Sequence, residues 1–363
     1  MHQGGHAAFI FSEAFLEYDF GPLHPLRPER LRILRERLQA EGVLDSPHVC
    51  QVEAQPATEE EVLAVHTREY YNAVATLSSG RRMAKREEYG FGTLDNVPFP
   101  GMLEASLLYT GASLQAARLV SRGEATRAMN PAGGLHHAMP RRASGFCIFN
   151  DPAVAIIDLL RRHERVLYLD IDAHHGDGVQ AVFYDSPRVL TLSLHESGRT
   201  LFPGTGAPEE TGTGAGEGYS VNAPLMAGTG DDTFLRVFDA LVHPLVEWFD
   251  PEVIVAQLGI DTHHADPLAH LRLTTAGFLR AVRAIRDWGR PLVALGGGGY
   301  NPEVVGDAWA RAFACLAEVD LPAAPAEEPP AMPSFYGDPA AVEAFADKTI
   351  EAVRRHIFAR HGI

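Results

Sequence analysis

Two rhythms of apolar and polar positions run through the chain. Four short runs, at 166–170, 189–194, 253–258 and 292–295, are largely apolar, with Asp170, Thr191, Ser193 and Gln257 as their polar members, and read as strands buried on both faces. Runs of this length, rich in Val, Ile and Leu, predict parallel strands covered by helices on two sides. A first strand is expected near 7–12 and a shorter one at 127–130. The intervening segments place apolar residues three and four apart instead. Pro28 opens one such stretch, Leu31, Leu34 and Leu38 give it a buried face, and Gly42 stops it. Further helices are predicted at 103–119, 153–160, 232–249, 275–288 and 302–317, and the pair Thr58 and Glu61 reads as a capping box opening another. Strands alternating with helices mean an α/β domain of three layers (α/β/α) on a central, mostly parallel sheet.

Three segments fall outside this alternation. Residues 81–100 are charged and then broken by Gly and Pro, which reads as a long functional loop or rim. Residues 320–338, richest in Pro, Ala and Glu over 320–333, read as a linker. A last amphipathic helix, roughly 339–359 within a 339–363 tail, is expected to dock back on the single catalytic domain of residues 1–319. No internal repeat is evident.

Composition narrows the function. At 363 residues, 46% hydrophobic and 21% charged, the chain can bury a large core. Its net charge of −16 opposes direct nucleic-acid binding, and no basic patch interleaved with aromatics offsets it. Cys50, Cys147 and Cys315 form no close pair, so neither a disulfide framework nor a thiolate zinc knuckle is indicated, and a reducing cytoplasm is the expected compartment. No run of eighteen apolar residues and no signal-peptide pattern occurs, so no membrane association is expected. Lys85 and Lys348 are the only lysines, a bias that fits a GC-rich genome and carries no mechanism.

The chemistry concentrates where strands end. Asp170, Asp172, His174, His175 and Asp177 pack three carboxylates and two imidazoles into eight residues directly after the 166–170 strand. Asp172 and His174, two apart, project the same way from extended backbone and can share one cation. Three other clusters also end or follow apolar runs: Gly133 to His137, Gln257 to Asp261, and Gly296 to Tyr300. In open α/β sheets such carboxyl ends are where ligands bind. Asp172, His174 and Asp261 are candidate ligands of a catalytic, zinc-type site with one open position. Neighbouring side chains are expected to diverge, so His136 and His137 suit an acid–base pair better than joint ligands, with Asp170 and Asp177 as spare carboxylates to orient them. Tyr300, after four glycines, can bring a phenol close to a bound carbonyl.

These residues resemble the histone deacetylase family of metal-dependent amidohydrolases, which has the arginase-deacetylase fold. The resemblance rests on an ordered series, GGLHHA, SGFCIFND, DIDAHHGDG, SLHESGRTLFPGTG, YSVNAPL, QLGIDTHHADPL and GGGGY, covering about residues 5–315. YDFGPLHPLRPER and GTLDNVPF look most like the bacterial acetoin-utilisation deacetylases. The resemblance implies that Asp172, His174 and Asp261 hold the metal, zinc by default with iron(II) or another divalent ion also compatible. It implies that His136 pairs with Asp170 and His137 with Asp177, and that Tyr300 is the closing tyrosine. Gly145 and Phe146 in SGFC, with Phe202 before PGTG, would contact the acyl-lysine stem, Asp95 would be the rim acid that grips substrate backbone, and Arg30 would line an acetate-exit channel. Leu268 stands where polyamine-selective animal relatives carry a glutamate. It further implies K+ or Na+ sites, one using Asp170, Asp172, His174, Ser193 and Leu194, the other Phe183, Ser186, Val189 and Tyr219.

Structural readings compete with several of these. Phe146 and Phe202 could be core aromatics, Asp95 a turn residue, Cys147 a packing residue, and His175, His263 and His264 structural or exposed. Arginase-like enzymes share the Asp-Ala-His step but need two further aspartates, and Gly176 and His263 occupy those places, so one metal is expected and not two. The implied reaction is removal of acetyl groups from lysines of proteins. A small acetylated amine such as a polyamine is the alternative substrate, and an inactive acetyl-lysine-binding module is the non-enzymatic one. Oligomeric state stays open.

Overall fold

The computed structural model describes residues 7–333, 336 and 338–363. Among these residues eight strands form one sheet: β1 Ala7–Phe11, β2 Val49–Glu53, β3 Arg127–Asn130, β4 Val166–Asp170, β5 Val189–Glu196, β6 Ser220–Leu225, β7 Val253–Gln257 and β8 Leu292–Leu295. Their order is β2-β1-β3-β8-β7-β4-β5-β6, and every pairing is parallel. Every residue of β4, β7 and β8 is buried, as largely apolar runs require. Each Val, Leu or Ile among them contributes roughly 1.5–3 kcal/mol by leaving water.

Register explains why four chemical clusters can meet. Asn130 pairs with Leu295, Leu295 with Gln257, and Gln257 with Asp170, so β3, β8, β7 and β4 are consecutive neighbours that end on one line. The loops leaving those ends carry His136 and His137, Tyr300, Asp261, and Asp172 with His174.

Two strands, β2 and β6, lie outside the runs read as strands, at the two edges of the sheet. β2 is only half buried to exposed, and β6 contains Asn222 and Pro224, so neither has the continuous apolar signature. Pro224 is tolerated because an edge strand has one side free of the ladder. That side is covered by the helix Pro339–Val353, which packs on β6 and whose Thr349 hydroxyl donates to the Pro224 carbonyl at 2.8 Å. Ile350, Val353 and Ile357 are buried beneath it. The capping box at Thr58 and Glu61 is present, although the helix it opens spans only Glu59–Val62. The helix placed at 153–160 begins earlier, at Asp151, because the Asn150 side chain caps it by accepting the Ala153 N–H. Residues 320–333 are not a free linker: Arg311 donates to the Pro322 carbonyl at 2.7 Å, and Glu327 bonds to His263 at 2.7 Å. Among the described residues, no helix is long and apolar enough to cross a membrane.

Candidate metal centre and acid–base pair

Asp172, His174 and Asp261 bring one donor atom each within 4.8 Å of one another, and all three are buried. His174 Nδ1 lies 2.8 Å from Asp261 Oδ2 and 3.2 Å from Asp172 Oδ1. Backbone fixes the carboxylates: Asp172 Oδ2 accepts the Gly298 N–H at 2.7 Å, and Asp261 Oδ1 accepts the Ala173 N–H at 2.8 Å. The packing leaves no slack. A Cβ on Gly259 would stand 2.0 Å from Asp172 Oδ2, and one on Gly298 would stand 2.0 Å from Asp261 Oδ2. Burial and the facing Asp172 carboxylate push Asp261 up, whereas Asp172, despite its burial, is held well below the usual carboxylate range by the charges on His136 and His174. His174 is correspondingly held well above its ordinary value against the cost of burial, because two carboxylates face it. A site that stabilises a positive charge among two carboxylates and an imidazole, with backbone donors holding the outer oxygens, fits a divalent metal.

Beside this donor set stand the two histidines. His136 Nδ1 is 2.8 Å from Asp170 Oδ2, and His137 Nδ1 is 2.7 Å from Asp177 Oδ1. Neighbouring side chains were expected to diverge, yet the two Nε2 atoms converge to 3.0 Å. The reason is local: the chain here is irregular loop, not strand, and Gly134 at φ +87° turns it. Each Nδ1–H donates to its own carboxylate, so the two Nε2 atoms have space for one proton between them. Burial alone would depress His136, but Asp170 overrides it and raises the group to about 9. Burial, and then the adjacent His136 charge, lowers His137 to about 4. The pair therefore carries one acid and one base.

Tyr300 closes the far side. Its ring lies edge-on to Phe146 at 5.6 Å and to His174 at 6.3 Å, and its N–H donates to Asp266 Oδ2 at 2.8 Å. Burial, then the charges of Asp261 and Asp172, keep the phenol well above its ordinary value, so it stays protonated as a donor. Phe202, 43% exposed, lies edge-on to His137 at 5.0 Å. Gly145, at φ +52°, leaves the space between: a Cβ there would stand 2.5 Å from His137 Cδ2 and 2.8 Å from Phe202 Cε1. Phe146 itself holds φ +68°, fastened by the Tyr18 hydroxyl donating to its carbonyl at 2.7 Å. Phe146 and Phe202 thus flank the histidines and Tyr300, Phe202 exposed and Phe146 half-buried with its ring also packed against the core.

The remaining candidates are spread around this centre. Asp95 is exposed on its loop, its carbonyl 3.2 Å from His24 Nε2, and the His24 ring lies 4.5 Å from Phe146. Leu268 is half-buried on the loop after Asp261. Arg30 is buried, donating to the carbonyls of Gly297 and Gly299 at 2.7 and 3.0 Å. Ser193 pairs in register with Asp170, and Leu194 follows it, whereas Phe183, Ser186 and Val189 lie around the start of β5, where Thr191 N–H donates to the Tyr219 carbonyl. His175 is structural, bonded to Thr205 and Gln180, and Cys147 is buried packing.

Sequence reasoning gave no role to several residues that support the centre. The Tyr168 hydroxyl donates to Asp170 Oδ2 at 2.8 Å, and Gln257 Nε2 donates to the Gly134 carbonyl at 2.7 Å. Asp151, raised by burial to about 6, accepts the N–H groups of Gly134 and Leu135. Asn150 Nδ2 donates to the Ala138 and His136 carbonyls at 2.9 and 3.3 Å. His66 in turn accepts the Asn150 N–H on Nε2 at 2.9 Å and donates from Nδ1 to the Met139 carbonyl at 3.1 Å. Asn150 and Asp151 close the SGFCIFND motif, which was the available signal; His66 is a lone histidine and had none.

Residues 24–316 match the histone deacetylase domain. The chain is 42% identical to the acetoin utilization protein AcuC of Bacillus subtilis (strain 168) over 92% of this chain and 90% of that protein. It is 38% identical to histone deacetylase RPD3 of Saccharomyces cerevisiae over 83% of this chain and 70% of that one. A crystal structure of an HDAC homolog from Aquifex aeolicus superposes with a TM-score of 0.81 at 34% identity, covering 95% of this chain and 88% of the other. A structure of an HDAC homolog complexed with SAHA gives 0.82 at 35% identity with the same coverage. A domain match over most of the chain, with full-length relatives above 30% identity, places this protein in the histone deacetylase family of deacetylases.

Proposed function

We propose that the chain hydrolyses the N-acetyl amide of acetyl-lysine side chains in proteins, releasing acetate and the free amine. The observation that carries this is the histidine pair sharing space for one proton, set between three metal donors and a neutral phenol. Asp172, His174 and Asp261 would hold zinc, with iron(II) also compatible, and the bound ion supplies Lewis acidity toward the acetyl carbonyl and a water molecule.

The protein's own groups do the rest. The Nδ1–H of His137 is committed to Asp177, so the base that takes the proton of the attacking water is its Nε2 lone pair, which must turn from the His136 Nε2–H to the water. The same Nε2 then returns that proton to the leaving amine. His136, kept cationic by Asp170, offsets the negative charge that develops as the amide carbon becomes tetrahedral. The Tyr300 hydroxyl donates to that oxyanion. Phe146 and Phe202 flank the four-methylene stem, and the exposed Asp95 accepts backbone N–H groups of the substrate at the rim. Leu268 presents no charge to pair with a distal ammonium, which favours peptide over polyamine.

The test compares kcat/KM of zinc-loaded protein for an acetyl-lysine peptide and for N-acetylputrescine, with a chelated control. Peptide turnover that disappears on chelation supports the proposal. Preference for N-acetylputrescine by more than about tenfold, about 1.4 kcal/mol of discrimination, replaces it with small-amine deacetylation.

A further inference from the structure

The loop after β7 carries Asp261, the half-buried Leu268, and Asp266, whose carboxylate accepts the Tyr300 N–H. This loop is fastened from outside by a segment beyond the matched domain. Glu327 Oε2 lies 2.7 Å from His263 Nε2 and 3.1 Å from His264 Nε2, and Oε1 accepts the Thr275 N–H at 3.3 Å, at the start of the helix Thr275–Asp287. Further along, Arg272 donates to the Pro330 carbonyl, and the Tyr336 ring lies 5.3 Å from that of His270.

Two imidazoles and a carboxylate within 4.8 Å are also a metal-donor set, and the tautomer decides between the two readings. The Ala265 N–H donates to His263 Nδ1 at 3.1 Å, so the His263 proton sits on Nε2 and points at Glu327. A metal on Nε2 would require the proton on Nδ1, against an N–H donor. The group is a metal-free latch.

We infer that Glu327 is a positioning residue for deacetylation: by accepting from both histidines it fixes the turn through which Asp266 holds Tyr300. The connection is short. The His263 carbonyl accepts the Asp266 N–H at 2.9 Å, and Asp266 Oδ2 accepts the Tyr300 N–H at 2.8 Å. The same turn is tied to the strand-like segment before the helix by His264 N–H to the Leu273 carbonyl and Leu273 N–H to the Thr262 carbonyl. The inference rests on the proposed role of the Tyr300 hydroxyl.

The experiment uses the full zinc-loaded chain as wild type, Glu327→Ala and Glu327→Gln. Glu327→Ala is expected to lower kcat roughly 10-fold, with KM for an acetyl-lysine peptide within about twofold and zinc content unchanged, because a displaced catalytic group loses rate more than binding. The amides of His264 and Leu273, and that of Thr275, which loses its acceptor directly, should exchange with solvent roughly 10-fold faster, and those outside this turn should not. Glu327→Gln keeps one oxygen able to accept from both rings and should recover most of kcat. An active wild type with an equally active Glu327→Ala overturns the inference, as does a second zinc equivalent that wild type binds and Glu327→Ala loses. A wild type inactive on every acetylated amide removes the function proposed above. Amide exchange then still tests the latch, and unchanged protection of His264 and Leu273 overturns it.

Discussion

Acid should loosen this protein through a residue that never meets substrate. His66 is 3% exposed, and its two ring nitrogens are committed to opposite roles, Nδ1–H donating to Met139 and Nε2 accepting from Asn150. A second proton would set Nε2–H against the Asn150 N–H, and burial lowers the group from 6.5 to about 4. Because the folded value lies below the unfolded one, the unfolded chain takes up the proton first as pH falls. Stability is therefore complete above the unfolded value and is lost progressively down to the folded one. Between about pH 7.5 and about pH 5 this single group removes about 2 kcal/mol, and about 3.4 kcal/mol at the acid limit. Urea unfolding of metal-free wild type and His66→Gln, across this window and with a chelator in both, isolates the effect. The variant starts lower at neutral pH, by about 1 kcal/mol per lost hydrogen bond, but its stability should fall by about 2 kcal/mol less on acidification. Parallel losses in the two proteins would show that His66 is protonated in the folded state and that the bracing argument is wrong.

Three further outcomes follow from the site. Asp177→Asn should lower kcat roughly 10- to 100-fold with zinc content preserved, since a charge-assisted hydrogen bond to the base is worth about 1.5–3 kcal/mol; steady-state kinetics with metal analysis reads it, and a change confined to KM counts against His137 as the base. Tyr300→Phe should retain metal and fold and lose on the order of 10²- to 10³-fold in kcat, the worth of one oxyanion donor, so near-normal turnover would assign that role elsewhere. Leu268→Glu should raise kcat/KM for N-acetylputrescine relative to the peptide by about two- to fivefold, as a half-exposed ion pair allows, and no shift would place Leu268 outside the substrate's reach.

What the sequence discloses follows burial. β4, β7 and β8 are readable because both faces are covered, and the four clusters are readable because each sits at the end of such a run. β6 is as deeply buried, yet Asn222 and Pro224 interrupt its pattern, and the helix that covers it comes more than a hundred residues later. β2 at the other edge is half in water and carries no period. The candidate site residues lie within recognisable motifs, as do some that hold them, such as Asn150 and Asp151, whereas the supporting role of others leaves no mark in the sequence. His66 looks like any histidine, Asp266 like part of a turn, and Glu327 lies in a stretch whose Pro, Ala and Glu content disguises a carboxylate paired far away in the chain. Pairing across such distances is a property of the folded state alone.

The backbones of Gly259 and Gly298, pressed against the carboxylates of the candidate metal centre, have an evolutionary consequence. Neither Gly259 nor Gly298 can change alone, because any side chain added there occupies the volume of a carboxylate oxygen. A longer acid at position 172 meets the same walls. Drift at the floor of the cleft would need simultaneous exchanges, which neutral substitution rarely supplies. Room for single changes lies outward instead, at the exposed Asp95 loop and at the half-buried Leu268, where no backbone presses on a carboxylate of the centre.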